Sequence, residues 1–304
     1  MTDRILDIAE SPVYLSVRNG LLCLRPPSGD GEEAKEVTVP LKELAAVVLT
    51  HPQITVTRTV LSGLAEAGAV LVACDDRFMP VVMALPLTGY HAPARRLAAQ
   101  ANAALPTLKR LWQQVVVAKV CAQAQVLRQV RQDDFGLIEM AKRVRSGDTD
   151  NIEAQAARIY WLALFQDVDF LRQPGAGAVN QNRFLDYGYA VLRAAVARAI
   201  CAVGLHPGLG LHHHHRNNAF CLADDLMEPF RPLIDRAVSD LVADDMADAP
   251  MDKTIKARLI APVMDRYSFD GEQRTLFDIL GRLTSSLAGV FEERESRLNL
   301  PDIQ

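Results

Sequence analysis

No stretch of this 304-residue chain is long and apolar enough to read as a membrane span. The AGAVLVAC run at 67–74 falls far short of the roughly 18 residues that a span requires. The opening MTDRILDIAES is acidic and has neither the basic start nor the apolar core of a secretory signal. Cysteine is sparse and scattered: Cys23, Cys74, Cys121, Cys201 and Cys221 are odd in number and form no CxxC pair. That argues against a disulfide framework or a zinc ribbon and for reduced thiols. Internal repeats and low-complexity tails are also missing. These absences predict a cytoplasmic protein with no membrane partner.

A surplus of positive charge is lacking as well. Lysine and arginine number 33 against 37 acidic residues, a net of −4, which does not by itself announce a nucleic-acid binder. The distribution is uneven, however. Residues 1–90 carry a net of −4, residues 91–220 a net of +7, and residues 221–304 a net of −7. The central surplus, with Arg95, Arg96, Arg110 and Arg158 in it, is a candidate phosphate-binding surface. Solvated helix surface is the alternative reading of the same residues.

What is present divides by periodicity. VYLSV (13–17) and LLCLR (21–25) flank Asn19-Gly20, a strong hairpin signal. EVTVP (36–40), LAAVVLT (44–50), VLVACDD (70–76) and PVVMALP (80–86) continue the short β-branched runs, with one helix from Arg58 to Glu66 ended by Gly68. Beyond Pro86 the pattern becomes helical from Ala94 to Val144, then at about 151–165, 184–203, 222–243, 253–266 and 274–292. The expectation is an α+β chain: a small β-rich N-terminal domain over 1–86 and a larger all-α domain over 87–304, with the boundary near 86–94.

Two strings carry candidate chemistry. In TDNIEAQAARIYWLALF (149–165), Glu153 lies three residues after Asp150, the spacing of a capping box at a helix start. Glu153 is also in line with the apolar stripe of Ala156, Ala157, Tyr160 and Leu164, and an inward carboxylate needs a metal ion or a cation beside it. In GLHPGLGLHHHHRNNAFCLADDLMEPFRPLID (204–235), four histidines, His212 to His215, precede a helix with Asp225 and Glu228 one turn apart. Pro229 and Pro232 fall in this predicted helix and remove bonds to the carbonyls of Asp225 and Glu228, so a kink is expected at the carboxylates, aiming them into a cleft. An imidazole with two or three carboxylates suits Mg²⁺ or Mn²⁺ and phosphodiester chemistry.

EAQAARIYW, GLGLHH and FCLADDLMEPFRPLID, in this order and spacing, closely resemble the CRISPR spacer-acquisition integrase family, and DLMEPFRP looks most like its type II branch. The resemblance implies a metal site of Glu153, His213 and Glu228, with a neighbouring histidine as the alternative to His213, and Asp225 as a supporting carboxylate. It implies a β-rich domain that pairs protomers into a homodimer and a helical catalytic domain. It further implies a small ferredoxin-like companion protein, one companion dimer being flanked by two integrase dimers, with the type II effector nuclease as a further candidate partner. The implied reaction is attack by the 3′-hydroxyl of a captured DNA fragment on a phosphodiester of the repeat array. A metal-dependent hydrolase of branched DNA and a non-catalytic DNA-binding scaffold are the alternative readings.

Overall fold

The computed structural model describes residues 4–27, 36–75, 80–84, 93–166, 170–173, 175 and 180–301. The chain divides into two compact units, residues 1–91 and 92–304.

In the first unit Asn19 and Gly20 both take positive φ, so the chain reverses in two residues and β2 (Val13–Arg18) pairs antiparallel with β3 (Leu21–Arg25). β3 pairs antiparallel with β4 (Val37–Pro40), and β2 pairs parallel with β6 (Ile54–Val56), giving the order β4-β3-β2-β6. A second sheet has the order β1-β5-β7-β8. Here β1 (Arg4–Ile8), β5 (Leu44–Leu49) and β7 (Val70–Cys74) run parallel, and β8 (Pro80–Ala84) is antiparallel at the edge. Helix α1 (Arg58–Glu66) ends before Gly68, whose φ of 73° ordinary residues avoid. Leu15, Leu22, Val47, Val60 and Leu64 from both sheets and the helix form one apolar core.

The second unit is built round α3 (Leu105–Arg131), preceded by α2 (Pro93–Ala101). Leu111, Trp112, Val115, Val116, Val120 and Leu127 bury one side of α3. Helices α4 (Leu137–Ala141), α5 (Ile152–Phe165), α7 (Cys221–Met227) and α8 (Arg231–Ala243) pack on it. The long α6 (Gln181–Ala202) packs against α7, α8, α9 (Lys253–Met264) and α10 (Leu276–Phe291).

Three features depart from the sequence reading. The predicted helix over 222–243 is two helices joined by a 3₁₀ turn at Glu228–Phe230. Pro229 and Pro232 therefore stand in the first turn of a new segment, where proline is tolerated, and not in a helix interior. The Asp225 carbonyl still has a donor, the N–H of Glu228. The two prolines line a cavity of about 410 Å³ with Gln125, Arg236 and Tyr267, and neither Asp225 nor Glu228 lines it, so the prolines do not aim the carboxylates into this cavity. Finally, α9 stops at Met264, and a hairpin of β9 (Arg266–Phe269) and β10 (Glu272–Thr275) turns through Asp270 and Gly271, both at positive φ.

Helices α6 and α8 approach closely at Gly188, where an added Cβ would stand 2.4 Å from Ile234 Cγ2. Gly188→Ala should destabilise the protein by about 1–3 kcal/mol through overpacking, despite alanine's higher helix propensity. Thermal unfolding checks this, and the double change Gly188→Ala with Ile234→Ala, which removes the clashing Cγ2, should cost less than the sum of the two single changes.

Candidate active site

The site begins with a fully buried carboxylate. Asp225, in α7, has no exposed surface and accepts from the backbone N–H groups of Leu211 (2.5 Å) and His212 (3.0 Å) at Oδ2 and of His213 (3.2 Å) at Oδ1. The histidine loop is thus wrapped round a negative charge, which offsets the cost of burying it. His213 Nδ1 lies 2.6 Å from Asp225 Oδ1. With that carboxylate as acceptor, Nδ1 carries the proton and Nε2 presents its lone pair outward, the arrangement of a ligating histidine with a carboxylate behind it. The hydrogen bond to Asp225, against partial burial, raises the His213 pKa above its ordinary 6.5, with the charges of Asp225, Glu228 and Glu153 acting the same way.

Two further contacts fix the loop. The buried Trp112 of α3 stacks on His212 with centroids 4.4 Å apart and planes 5° from parallel, and meets His213 edge-on at 5.6 Å. At the far end Arg193 Nη2 donates to Asp224 at 2.7 Å and to Asn218 at 2.9 Å, tying the loop to α6. Gly210 is obligatory at the point of closest approach, since a Cβ there would fall 2.3 Å from the His213 carbonyl oxygen and 2.9 Å from Asp225 Oδ2.

Glu153 and Glu228 converge on a third residue, Lys119 in the middle of α3. Its Nζ is 2.6 Å from Glu153 Oε1 and 2.5 Å from Glu228 Oε2. Arg231 Nε stands 3.2 Å from Glu228 Oε1. Burial opposes the charge of Glu228, but Arg231 and Lys119 outweigh it and hold its carboxyl below the usual glutamate range. Burial likewise opposes the charge of Lys119, and Glu228 and Glu153 overcome it, raising the lysine's pKa. Below this pair Asp235 accepts from Tyr160 (3.0 Å) and from Tyr189, a buried network under Arg231.

Glu153 is therefore an inward carboxylate with a cationic partner, and it belongs to no capping box. Asp148 caps α5, its carboxylate accepting from Ile152 N (2.9 Å) and Glu153 N (3.0 Å), while Asp150 pairs with Arg145. Asp225 supports the histidine loop and does not face outward beside Glu228. Among the basic residues, Arg110 and Arg158 are exposed, and the Arg95 side chain lies outside the described residues. Arg96 is a correction: it is buried, donating to Glu292 Oε1 at 2.8 Å and to the Val203 carbonyl, and presents no charge to a phosphate. Lys119, Trp112, Arg231 and Asp148 were not expected from the sequence. The one signal for Lys119 is that it is the sole charge between Arg110 and Arg128.

The donor set of carboxylate, carboxylate and imidazole fits a hard divalent cation. Glu153 and Glu228 already share one cation, and His213 is oriented by a carboxylate. Among the described residues, no three His, Cys, Asp or Glu side chains converge closely enough to hold an ion as they stand. The point common to both glutamates is taken by Lys119.

The chain is thus a β-rich unit and a helical unit, the latter carrying an oriented histidine, the buried Glu228 and the partly buried Glu153. The family model for CRISPR associated protein Cas1 matches residues 6–258, and the chain belongs to that family. A CRISPR-associated endonuclease Cas1 of Neisseria meningitidis is 39% identical over 269 residues, covering 88% of this chain and 87% of the relative. The fold is shared with a casposase bound to integration product (TM-score 0.78, 19% identity, covering 98% of this chain and 93% of that one). It is shared also with a chain of a Cas6-RT-Cas1–Cas2 complex (TM-score 0.75, 15% identity), where all of this chain matches 36% of the larger one. No helix among the described residues is long and apolar enough to cross a membrane.

Gly210→Ala should displace His213 and pull donors away from the buried Asp225, so a strong loss of site function together with a lowered unfolding midpoint is expected. The His213–Asp225 pair also sets a pH dependence. A histidine whose folded pKa is raised adds stability that is fully present below its unfolded pKa and is lost as pH rises through the folded value. Asp225→Asn should therefore move the His213 titration, followed by NMR of its ring protons, back towards or below 6.5 and flatten that slope.

Proposed function

We propose that this chain is a metal-dependent DNA integrase that inserts captured fragments into a CRISPR repeat array, a 3′-hydroxyl of the fragment attacking a phosphodiester of the repeat. The single observation that carries the reading is the convergence of Glu153 and Glu228 on one cation beside a histidine oriented by Asp225. Membership of the family and likeness to the casposase on its integration product support it. Glu153, Glu228 and His213 would hold Mg²⁺ or Mn²⁺, and such an ion stabilises charge on phosphoryl oxygens and orients an attacking oxygen. The residues of the chain do the rest. Asp225 keeps the His213 proton on Nδ1, and Arg231 holds Glu228 ionised. Arg110 and Arg158, exposed on the helical unit, contribute to holding the DNA backbone.

The partners proposed are double-stranded DNA fragments, the repeat DNA, a second copy of the chain and a small ferredoxin-like companion protein. The assembly would be two integrase dimers on one companion dimer, paired through the β-rich N-terminal domain and working in the cytoplasm. The likeness to a chain of a Cas6-RT-Cas1–Cas2 complex supports a companion protein. The motif DLMEPFRP favours the type II branch, with its effector nuclease as a further partner.

Glu153→Ala, His213→Ala and Glu228→Ala should each lower strand transfer into a repeat-bearing plasmid by more than the roughly 10–100-fold typical of residues behind a metal ligand. DNA affinity should change little, because phosphate contacts dominate it. Joined products, as opposed to nicked ones, separate integration from hydrolysis. Wild-type strand transfer by any of the three variants removes that residue from the site.

A further inference from the structure

Lys119 stands where it has no place in a site that simply waits for an ion. It is buried in the middle of α3, and its ammonium lies 2.6 Å from Glu153 Oε1 and 2.5 Å from Glu228 Oε2. Oxygen ligands bind Mg²⁺ or Ca²⁺ at about 2.0–2.6 Å, so an ion held by the same two oxygens would lie on the point the ammonium fills. Both cannot be there.

We propose that Lys119 is a resident cation that a divalent ion must displace to reach Glu153 and Glu228, so that this lysine sets how much metal the site requires. The inference rests on the reading of those glutamates as ligands. Several features make the exchange feasible. An ammonium on a flexible four-carbon stem can withdraw by side-chain rotation alone. It is held by one close contact to each carboxylate, at Glu153 Oε1 and at Glu228 Oε2. Arg231 remains 3.2 Å from Glu228 Oε1 and keeps that buried carboxylate paired when the lysine leaves.

The exchange also changes the charge. Glu153 and Glu228 balance Lys119 and Arg231, so the site is neutral with the lysine in place, apart from any charge on the His213–Asp225 pair. Substituting a divalent ion for the ammonium adds one positive charge at the carboxylates. The withdrawn ammonium is then a second cation close by. A phosphodiester would meet an attractive site only after the metal has entered, and until then the lysine keeps the carboxylate pair from mutual repulsion.

The test compares wild type with Lys119→Met by thermal unfolding in EDTA and across a Mn²⁺ titration. Without metal the variant should melt lower, because the two carboxylates lose the cation they share and Arg231 reaches only Glu228. Its Mn²⁺ midpoint should fall by about tenfold, the factor that one charge-assisted hydrogen bond represents. A lower melting point with an unchanged Mn²⁺ midpoint would mean that the lysine only supports the fold, and would overturn the exchange while leaving the metal reading standing. No response to Mn²⁺ in either protein would overturn the metal reading, and the exchange with it. Should the variant not fold, lysine-selective ¹⁵N NMR of the wild type decides. The Lys119 ammonium signal should shift as Mg²⁺ saturates the site, and a signal that stays in place at saturation refutes the proposal.

Discussion

The site depends on one buried charge. Asp225 is inaccessible to solvent, and an isolated carboxylate there would be prohibitively costly, so the chain must bring donors to it. It brings Leu211, His212 and His213 by their backbone N–H groups and His213 again by its ring. A loop of polar, conformationally free residues is thereby given one conformation, and a ring nitrogen is aimed by the same atoms that satisfy the charge. Gly210 permits the approach, and Trp112 closes it from the side of α3.

The second carboxylate owes its direction to a change of helix type. Between α7 and α8 the 3₁₀ turn at Glu228–Phe230 tightens the backbone. Pro229 and Pro232 make a continuous α-helix unfavourable, while each fits the first turn of its own segment. Glu228 leaves the chain at that break. Its burial is tolerable because Lys119 and Arg231 meet it from two elements. Removing either partner alone would leave the buried carboxylate with a single cation, an undercompensated charge that costs more than the lost contact itself.

Local chemistry was legible in the sequence, and distant pairing was not. Asn19-Gly20 announced its hairpin because the turn residues themselves determine the geometry. Asp270-Gly271 carries the same signal, but its flanks RYSF and EQRT are too polar to read as strands, and the helical pattern ran over them. β1 and β6 exist through parallel pairing with segments about 40 residues away, which no local pattern encodes. At the site, the types and spacing of Glu153, Asp225, Glu228 and the histidines were readable. Lys119 was not, since its partners lie 34 and 109 positions further along the chain. Arg96 and Arg110 look alike in sequence, and only the fold separates a buried ion pair from a surface cation. Asp148 takes the capping role expected of Asp150 because Asn151, at positive φ, turns the chain so that the earlier aspartate reaches the helix start.

The stacking of Trp112 on His212 gives the protein an internal optical label. The sequence holds two tryptophans, and the other, Trp161, sits among Phe165, Phe170 and Tyr160, away from the histidines. Emission from the indole at position 112 is therefore coupled to the imidazole lying 4.4 Å from it. Undocking of the loop removes that ring and alters the indole's surroundings directly. Intrinsic fluorescence of a chain retaining only this tryptophan follows the seating of the histidine loop in real time, without a dye and without turnover.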